Sequence, residues 1–542
     1  MRTIDGRHIK TPLKPFNLTI RERQQLEMGR YMMKKYYLCA VALLLLPICI
    51  IALPQGNTAG SGTYDSPSGE YTYVTTGAGT ATSPYYSNIT AFESSNELVT
   101  IQSALEGYVM TEISGNSFKA CTGMTDLVLP VTLKTIGVGA FANCSTLEKV
   151  YFLGDRPNIG AGVFPSGVEI CHLAGTSGWD PQTSVMPLYT YSGGGCSFTY
   201  YVINGEATVF SYVSGTDIVI PSYLPADGTN VPVTTIGNGS FKDNSTITSV
   251  SIPDTVKIIG VRAFYYSLAI GSSQLTTVIL SSNLKVVCDE AFRMCIAMTD
   301  VDLHNVEYLG FEAFRMCYSL TDVVIPDSVT VLCDGAFRVC TSMVSLTIGS
   351  GVTDIPDNAF DHCQSLESVD IRGHIKSVGE YAFFNVVNLT SVLENISLPD
   401  VETIGASAFY GCINLSNVFL GNSLMEIRSN AFYECRSLPS LSLPASLEKV
   451  GDCAFYNCRN LDDIYFAGKM PEFGSNVFDS TDVTVHCTES NKASWSGFSG
   501  TLVVDSSGEI NIAIIAAVIV IVIILVIAVL LIFRYRGKNK GE

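Results

Sequence analysis

Cysteine is the most regularly placed reactive residue in this chain of 542 residues. Stacked turns could bring neighbouring thiols within the Cα separation of ~4.4–6.8 Å that a disulfide needs. The alternative is a column of buried thiols that act as small hydrophobes. One thiol per repeat, rather than thiols in pairs, favours the buried column. The cysteines concerned each lie three residues after a phenylalanine. There are nine of them: Cys121, Cys144, Cys295, Cys317, Cys340, Cys363, Cys412, Cys435 and Cys458.

The remaining residues with chemical potential do not form a catalytic or metal-binding set. His172 adjoins Cys171 and His486 adjoins Cys487, but a structural zinc site needs four converging ligands. The sequence contains no H-E-x-x-H, no G-x-S-x-G and no P-loop motif, which are the patterns for zinc, nucleophilic and phosphate chemistry. We therefore expect a protein that is not an enzyme and that uses no cofactor or metal.

The cysteines belong to a repeating unit. The stretch from Val329 to Ile348, VTVLCDGAFRVCTSMVSLTI, is followed from Val352 to Ile371 by the same order of residue types. A fixed period of 20–29 residues with Leu, Val and Ile at constant offsets predicts a leucine-rich repeat solenoid. The period is about 23 residues, and the Phe of an Ala-Phe pair marks it at Phe314, Phe337, Phe360 and Phe383, and again at Phe409, Phe432, Phe455 and Phe478.

Each unit contains one short strand. Val323 and Ile325 are two residues apart, so both side chains point to the same face, which we expect to be the core. One unit cannot bury its own apolar side, whereas stacked units bury a continuous core. We predict an α/β or mostly β solenoid in which short parallel strands form one sheet along the array and the Ala-Phe pairs are core.

The domain organisation follows from the repeats and from changes in composition. Trp179 and Trp495 are the only tryptophans, and each is expected to seal the open end of an array. Ser192 to Gly195 is interpreted as a flexible break. The predicted segments are a leader (1–56), an N-terminal flank (57–97), a first array with its cap (98–188), a linker and β opening (189–240), a second array with its cap (241–498), a juxtamembrane linker (499–509), a transmembrane helix (510–533) and a cytoplasmic tail (534–542).

Two apolar runs predict a relation to the membrane. Leu38 to Leu53 follows a basic leader and is either a signal peptide or an uncleaved signal anchor. Ile510 to Phe533 carries no charge and is long enough to cross a ~30 Å hydrocarbon core as a helix. Four basic residues follow it between Arg534 and Lys540, which places the tail in the cytoplasm. We expect a single-pass plasma-membrane protein with extracellular repeats.

The charge of the chain limits its partners. The formal net charge is −18, and both basic clusters lie at the termini, so the repeats are strongly acidic. An acidic body argues against nucleic acid as a partner. Seven N-x-Ser/Thr sequons are glycosylation candidates in a host that glycosylates: Asn88, Asn143, Asn238, Asn244, Asn388, Asn395 and Asn414.

The outward positions of the strands are the candidate ligand face. They are the residue before the Val position and the residue between Val and Ile, which point away from the core. Most are small or acidic, as a solvated face would be. From Ser249 to Tyr465 these positions are Ser249, Ser251, Thr277, Ile279, Asp300, Asp302, Asp322, Val324, Ser345, Thr347, Ser368, Asp370, Asn417, Phe419, Ser440, Ser442, Asp463 and Tyr465.

Five of these positions stand out as ligand-binding candidates. Phe419 and Tyr465 would expose aromatic area, and aromatic residues are enriched at binding hot spots. Asp300, Asp302 and Asp322 form an acidic set that suits a basic partner.

The unit resembles that of the BspA-like leucine-rich repeat family of cell-surface proteins. The resemblance is carried by L-x-x-V-x-I-P at Leu320 to Pro326, V-x-x-I-G at Val401 to Gly405 and A-F-x-x-C at Ala408 to Cys412, and it covers residues 98–495. A span with a short basic tail resembles the protozoan members. The resemblance implies a surface protein that binds an extracellular protein or glycan, in adhesion to host cells or matrix. The alternatives are a ligand-sensing co-receptor that acts through a partner, and a structural surface coat.

Overall fold

The computed structural model describes residues 61–67, 69–76, 86–94, 96–118, 121, 123–267, 272–389 and 400–505. These residues form short strands and tight turns, with one 3-10 helix, Lys492–Trp495, and no α-helix within the ranges just given. The mostly β alternative is therefore confirmed for the repeats. Both apolar runs, Leu38–Leu53 and Ile510–Phe533, lie outside the described residues.

The first array is built from strands of two to eight residues. Its strands are β1 (Ser61–Ser66), β2 (Gly69–Thr76), β3 (Tyr86–Glu93), β4 (Leu98–Thr100), β5 (Ala104–Leu105), β6 (Tyr108–Ile113), β7 (Asp126–Leu129), β8 (Thr135–Ile136), β9 (Lys149–Phe152), β10 (Asn158–Ile159), β11 (Glu169–Leu173) and β12 (Ser184–Met186).

The second array opens with longer hairpin strands and continues with short ones. Its strands are β13 (Tyr189–Gly193), β14 (Cys196–Ile203), β15 (Glu206–Ser214), β16 (Asp217–Val219), β17 (Tyr223–Ala226), β18 (Thr229–Ile236), β19 (Ser249–Ser251), β20 (Ile258–Ile259), β21 (Thr277–Ile279), β22 (Val286–Val287), β23 (Tyr308–Leu309), β24 (Asp322–Ile325), β25 (Val331–Leu332), β26 (Ser345–Ile348), β27 (Asp354–Ile355), β28 (Ser368–Ile371), β29 (Ser377–Val378), β30 (Thr403–Ile404), β31 (Glu426–Ile427), β32 (Ser440–Leu443), β33 (Lys449–Val450), β34 (Asp463–Phe466), β35 (Glu472–Phe473), β36 (Thr484–Thr488) and β37 (Thr501–Asp505).

Most units contribute two strands, which belong to separate rows, so the prediction of one sheet is wrong although the pairing along each row is parallel. The predicted strand, such as β24, pairs with its counterparts in what we call the major row. The second apolar pair, as in β29, is also extended and forms a minor row of two-residue strands. The major row of the second array is divided into β16-β19-β21, β24-β26-β28 and β32-β34-β36-β37. Both rows are parallel because each repeat stacks on the preceding one in the same direction.

The Ala-Phe pairs form a continuous core, as predicted. The repeat phenylalanines of the second array stack ring on ring from Phe241 to Phe478, an arrangement that we call the phenylalanine spine. Phe314 and Phe337, for example, have ring centroids 5.2 Å apart and an interplanar angle of 4°. In the first array the spine begins at Phe92, which packs on Phe118 with centroids 4.7 Å apart.

The turn around each spine phenylalanine is hydrogen-bonded to the next turn. The amide groups of Gly335, Phe337 and Val339 donate to the carbonyl oxygens of Asp357, Ala359 and Asp361, at 2.9, 3.0 and 2.7 Å. Gly335 and Val339 have positive φ values of 63° and 62°, a conformation that is unusual for a β-branched residue such as Val339. The backbone bonds between turns fix this conformation at Val339.

The cysteine column consists of buried thiols. None of the fifteen cysteines in the described ranges forms a disulfide there, and each of the nine column thiols faces the carbonyl oxygen of the preceding spine phenylalanine. Cys363 Sγ, for example, lies 3.3 Å from Phe337 O, and burial raises the pKa of the Cys340 thiol to about 12. Thr481 occupies the same position in the last repeat, and its hydroxyl donates to Phe455 O at 3.1 Å. The column therefore supplies a small side chain that is also a donor.

The two tryptophans close the arrays, as predicted. Trp179 packs on Phe152, and the buried Trp495 packs on Phe466 with centroids 4.8 Å apart. The segment after Trp495 differs from the expected linker, since β37 adds one more strand to the major row. Leu502 and Val504 point to the core, and this alternation stabilises the extra strand.

The two arrays contact each other directly. Gly193 to Gly195 forms the tight turn of the β13–β14 hairpin rather than the expected flexible break. The β5–β6 turn of the first array reaches the second array, where the Glu106 amide donates to Asp289 Oδ2 at 3.3 Å. The Arg262 guanidinium donates to Gly107 O at 2.9 Å.

Removing one ring from the phenylalanine spine should destabilise the second array. Phe337→Ala leaves a cavity in a fully buried position, and we expect a loss of ~3–5 kcal/mol in unfolding free energy. Val331→Ala, in the same repeat but at a partly exposed position, should change it by less than ~0.5 kcal/mol. Urea unfolding checks this, and equal effects of the two substitutions would contradict a core role for the spine.

The contact between the arrays should depend on pH. Burial raises the pKa of the Glu106 carboxyl, and a hydrogen bond from Tyr73 offsets part of that shift. The packed state thus binds the Glu106 proton more tightly than the separated state does. The contact should be strongest below the ordinary glutamate pKa of ~4.3 and should weaken as pH rises through the raised value.

Hydrogen exchange of β6, corrected for the intrinsic exchange rate, measures this dependence. Protection should fall with rising pH in the parent chain and should lose this dependence in Glu106→Gln, whose amide oxygen still accepts a hydrogen bond from Tyr73. Protection that increases with pH would show that Glu106 is stabilised as a carboxylate.

Candidate ligand-binding face

Burial alternates along the strands of the major row. In β24, Val323 and Ile325 are buried whereas Asp322 and Val324 are exposed. The predicted outward positions are therefore confirmed for this strand. We call the residues between Val and Ile the outward column. Backbone pairing aligns Val324 with Thr347 and Asp370 across three repeats.

The three aspartates all lie on this exposed face. Asp300 and Asp302 are in a repeat where the major row is interrupted, between β21 and β24. The Asp302 carboxylate is 2.9 Å from His304 Nδ1. Asp322, on β24, accepts a hydrogen bond from the hydroxyl of Ser345 in the next repeat. The acidic set is exposed and available to a basic partner.

Phe419 is exposed in the way the sequence indicated. Its side chain has 52% of its surface accessible, although Val418 and Leu420 on either side of it are buried. Several repeats separate Phe419 from the three aspartates, so the structure does not bring the aromatic and acidic candidates together. They belong to one long face instead of one compact site.

Tyr465 is not the free aromatic anchor that we expected. Its ring is half-buried and stacks on His486, with centroids 4.3 Å apart. His486 Nε2 is in turn 2.8 Å from Asp463 Oδ1. Burial, together with the nearby Asp463 and Asp505 carboxylates, raises the pKa of the Tyr465 hydroxyl. Tyr465 thus packs within the face, because the next strand places a flat ring beside it.

Aliphatic side chains contribute more exposed apolar surface than was expected. Ile279, Val324 and Val219 are each more than half accessible, and all three belong to the outward column. Alternation predicts that Ile279 and Val324 point outward. Neither is among the five ligand-binding candidates, because those are aromatic or acidic residues. Together with Phe419 they give the acidic face a series of apolar positions.

Hydroxyl groups keep part of the face ionised. Asp217 accepts hydrogen bonds from Ser249 Oγ at 2.6 Å and Thr248 Oγ1 at 3.1 Å. These bonds, first the one from Ser249, hold the pKa of the Asp217 carboxyl below its ordinary value. Asp217 is therefore ionised at neutral pH and adds to the acidic character of the face.

The same column is covered in the first array. Val128, Tyr151 and Cys171 are in register there, and all three are buried. Tyr201 and Ile203 of β14, together with Phe210 of β15, pack against them in one apolar cluster. The opening hairpin of the second array thus occupies the face of the first array. Repeat spacing could not predict this contact, because it joins segments that share no period.

An aromatic column on the turns was also missed. Phe384, Tyr410, Tyr433 and Tyr456, each directly after a spine phenylalanine, stack with centroids 4.5 to 4.8 Å apart. Their 23-residue spacing is visible in the sequence from Tyr410 onward. Because each ring stacks on the next, the ring faces are covered by neighbouring rings and the ring edges are left toward solvent.

The histidines of the two cysteine–histidine pairs stack on aromatic rings: His172 on Trp179 and His486 on Tyr465. His172 also bonds Thr176 Oγ1 at 3.0 Å. No cluster of His, Cys, Asp and Glu able to bind a metal ion occurs among the residues that the structure describes. The arrangement of the face is suited to recognition, through charge and apolar surface.

Sequence comparison identifies the family. The profile of the BspA type leucine rich repeat region matches residues 85–174, 206–343, 268–390 and 390–495. The chain belongs to this family. No curated protein sequence is significantly similar to the chain.

Several solved leucine-rich repeat structures resemble this BspA-type chain. A leucine rich repeat protein of T. pallidum has 26% identity, covering 41% of this chain and 88% of that chain, with a TM-score of 0.31. A leucine rich cell surface protein of Faecalibacterium prausnitzii has 24% identity over 52% and 95%, with a TM-score of 0.30. The pneumococcal vaccine antigen PcpA has 17% identity over 59% and 99%, with a TM-score of 0.32.

The two segments predicted to meet the membrane, Leu38–Leu53 and Ile510–Phe533, lie outside the described part of this BspA-type chain. Between Ser61 and Asp505, with the gaps given above, no helix is long and apolar enough to span a bilayer.

Proposed function

We propose that this chain is a cell-surface protein that binds an extracellular protein or glycan through the outward face of its second array. The role that fits best is adhesion to host cells or matrix. The observation that carries the proposal is the contrast between the arrays: the outward column is covered in the first array and open in the second. Leucine-rich repeat solenoids typically serve as scaffolds for protein interaction, and their long stacked surfaces suit extended ligands.

The chemistry of the face supports a ligand with basic and apolar groups. Ile279, Val324 and Phe419 offer apolar contact, and Asp300, Asp302 and Asp322 offer negative charge. Apolar and aromatic contacts supply most of the affinity of such interfaces, while opposite charges raise the association rate and specificity. Binding should therefore weaken as salt concentration increases.

The proposed location rests on the sequence outside the described residues. The uncharged run Ile510–Phe533 is followed by a basic tail, which supports a single span at the plasma membrane with the repeats outside.

The accessible sequons provide a test of the location. Asn143, Asn388 and Asn414 are exposed. Asn88, Asn238 and Asn244 are partly buried, and their amide oxygens accept hydrogen bonds from Ser114, Val261 and Thr246. Asn395 lies outside the described residues.

We therefore predict N-linked glycans on Asn143, Asn388 and Asn414 in a host that glycosylates. Asn88, Asn238 and Asn244 should remain unmodified, because each side chain is partly buried and held by a hydrogen bond to its Oδ1, which leaves Nδ2 poorly accessible. Glycopeptide mass spectrometry checks both sets. Unmodified Asn143, Asn388 and Asn414 peptides from such a host would contradict an extracellular array.

The ligand face is tested by removing its apolar positions together. The triple change Ile279→Ser, Val324→Ser and Phe419→Ala should preserve folding, because the three side chains are largely exposed. Adhesion of cells that display the full chain to host cells and matrix proteins should fall at least tenfold, at ~1.4 kcal/mol per decade. The double change Phe419→Ala and Tyr465→Ala should have a smaller effect, because Tyr465 is half-buried.

The matched control is Val138→Ser, which removes a side chain of similar exposure away from the outward column. Adhesion by this control should equal that of the parent. If the folded triple variant adheres as well as the parent does, the outward face is not the ligand-binding face.

A further inference from the structure

A cavity of about 660 Å³ lies between the two arrays. On one side of it is the apolar cluster that joins Val128 to Tyr201 and Ile203. On the other side is a smaller cluster that joins Ala104 to Val261 and Cys288. Its volume is within the range of roughly 300–1,000 Å³ found for small-molecule sites, which often occur between domains.

One part of the cavity wall is continuously apolar. Leu153 of the first array faces it, as do Tyr201, Ile203 and Phe210 of the second array. Protein interiors are close-packed, with few voids larger than a water molecule. An aliphatic chain would restore apolar contacts along this wall, which water cannot provide.

The lining of the cavity also includes one largely buried amide. Gln102 is 6% exposed and lines the cavity. A glutamine amide can both donate and accept hydrogen bonds, so Gln102 adds a polar group to a wall that is otherwise mainly apolar.

The charged residues of the lining favour an anionic group. They are Lys242, Arg262 and Glu206. Glu206 already accepts a hydrogen bond from Thr234 Oγ1 at 3.0 Å, and Arg262 is bound by Glu290 and by Gly107 O.

Lys242 is the least constrained of the three charged residues. Its side chain is 41% exposed, and its ammonium is 3.7 Å from the nearest carboxylate, that of Asp243. This exposure places Lys242 at the opening of the cavity, where it can contact a carboxylate.

From these features we propose that the cavity binds a long-chain fatty acid. The acyl chain lies along Leu153, Tyr201, Ile203 and Phe210, and the carboxylate meets Lys242 at the opening of the cavity. A sugar is a poorer fit, because it would leave hydroxyl groups against the apolar wall. This site is separate from the outward face of the second array and does not depend on the adhesion proposal.

Photolabelling of the full chain on intact cells tests the site. The probe is palmitate that carries a diazirine in its acyl chain, and adducts are located by peptide mass spectrometry. Label should appear on peptides that contain residues 98–103 or 201–210, and unlabelled palmitate should compete for it. Label confined to Ile510–Phe533, or label that palmitate does not displace, would overturn the proposal.

A pair of tryptophan substitutions tests the position of the ligand. Thr235 lines the cavity, and Thr235→Trp should fill it and reduce labelling by about tenfold, equivalent to ~1.4 kcal/mol. Thr347→Trp places the same bulk on a strand of the major row, away from the cavity, and should label like the parent. Parent-like labelling of a folded Thr235→Trp chain would show that the cavity is not the site.

Lys242→Gln tests the contact between the Lys242 ammonium and the carboxylate of the fatty acid. It also keeps the proposal testable if Thr235→Trp fails to fold. Because Lys242 is exposed, the substitution should not disturb the arrays. In the parent, palmitate should compete much better than hexadecanol, and in Lys242→Gln this preference should decrease about tenfold. An unchanged preference would overturn the fatty-acid assignment.

Discussion

The rest of the structure depends on one requirement, that every repeat cover the apolar edge of the repeat before it. The phenylalanine spine meets this requirement with one ring per unit, each stacked about 5 to 6 Å from the next in the second array. The ring fixes the turn, the turn fixes the directions of the two strands, and the cysteine thiol satisfies the carbonyl oxygen of the spine phenylalanine. Such a chain is stabilised by nearest-neighbour contacts, so the last repeat of each array has to be covered. Trp179 covers it in the first array and Trp495 in the second.

The features that the sequence predicted are those that recur with the repeat. The spine, the buried thiols and the outward positions of the major row all follow from a constant spacing, whereas the tryptophan caps were predicted from the single tryptophan at the end of each array. The minor row was not anticipated, because a two-residue apolar pair such as Val331-Leu332 is too short to show an alternation. The extra strand β37 was missed because Leu502 and Val504 come after the sequence that defines the repeat.

The candidate site was predictable only in part, because some of its contacts do not recur with the repeat. Alternation placed Asp322, Val324 and Phe419 on the outside. It could not show that Tyr465 would be stacked by His486, since that contact depends on a residue from the irregular cap. Nor could it show that Tyr201 covers Tyr151. These two residues are fifty positions apart in the sequence and belong to different arrays. This covering contact is the most informative one for function, because it shows that the outward face can hold a sheet surface.

The central claim is that one face of the solenoid is closed in the first array and open in the second. Hydroxyl-radical footprinting of the full chain tests it without knowledge of the ligand, because oxidation reports the accessibility of each side chain. After correction for intrinsic reactivity, Ile279 and Phe419 should be oxidised several times faster than Tyr151 and Tyr201. Oxidation of Tyr151 and Tyr201 as rapid as that of Phe419 would contradict the account, because the first array would then offer the same open face.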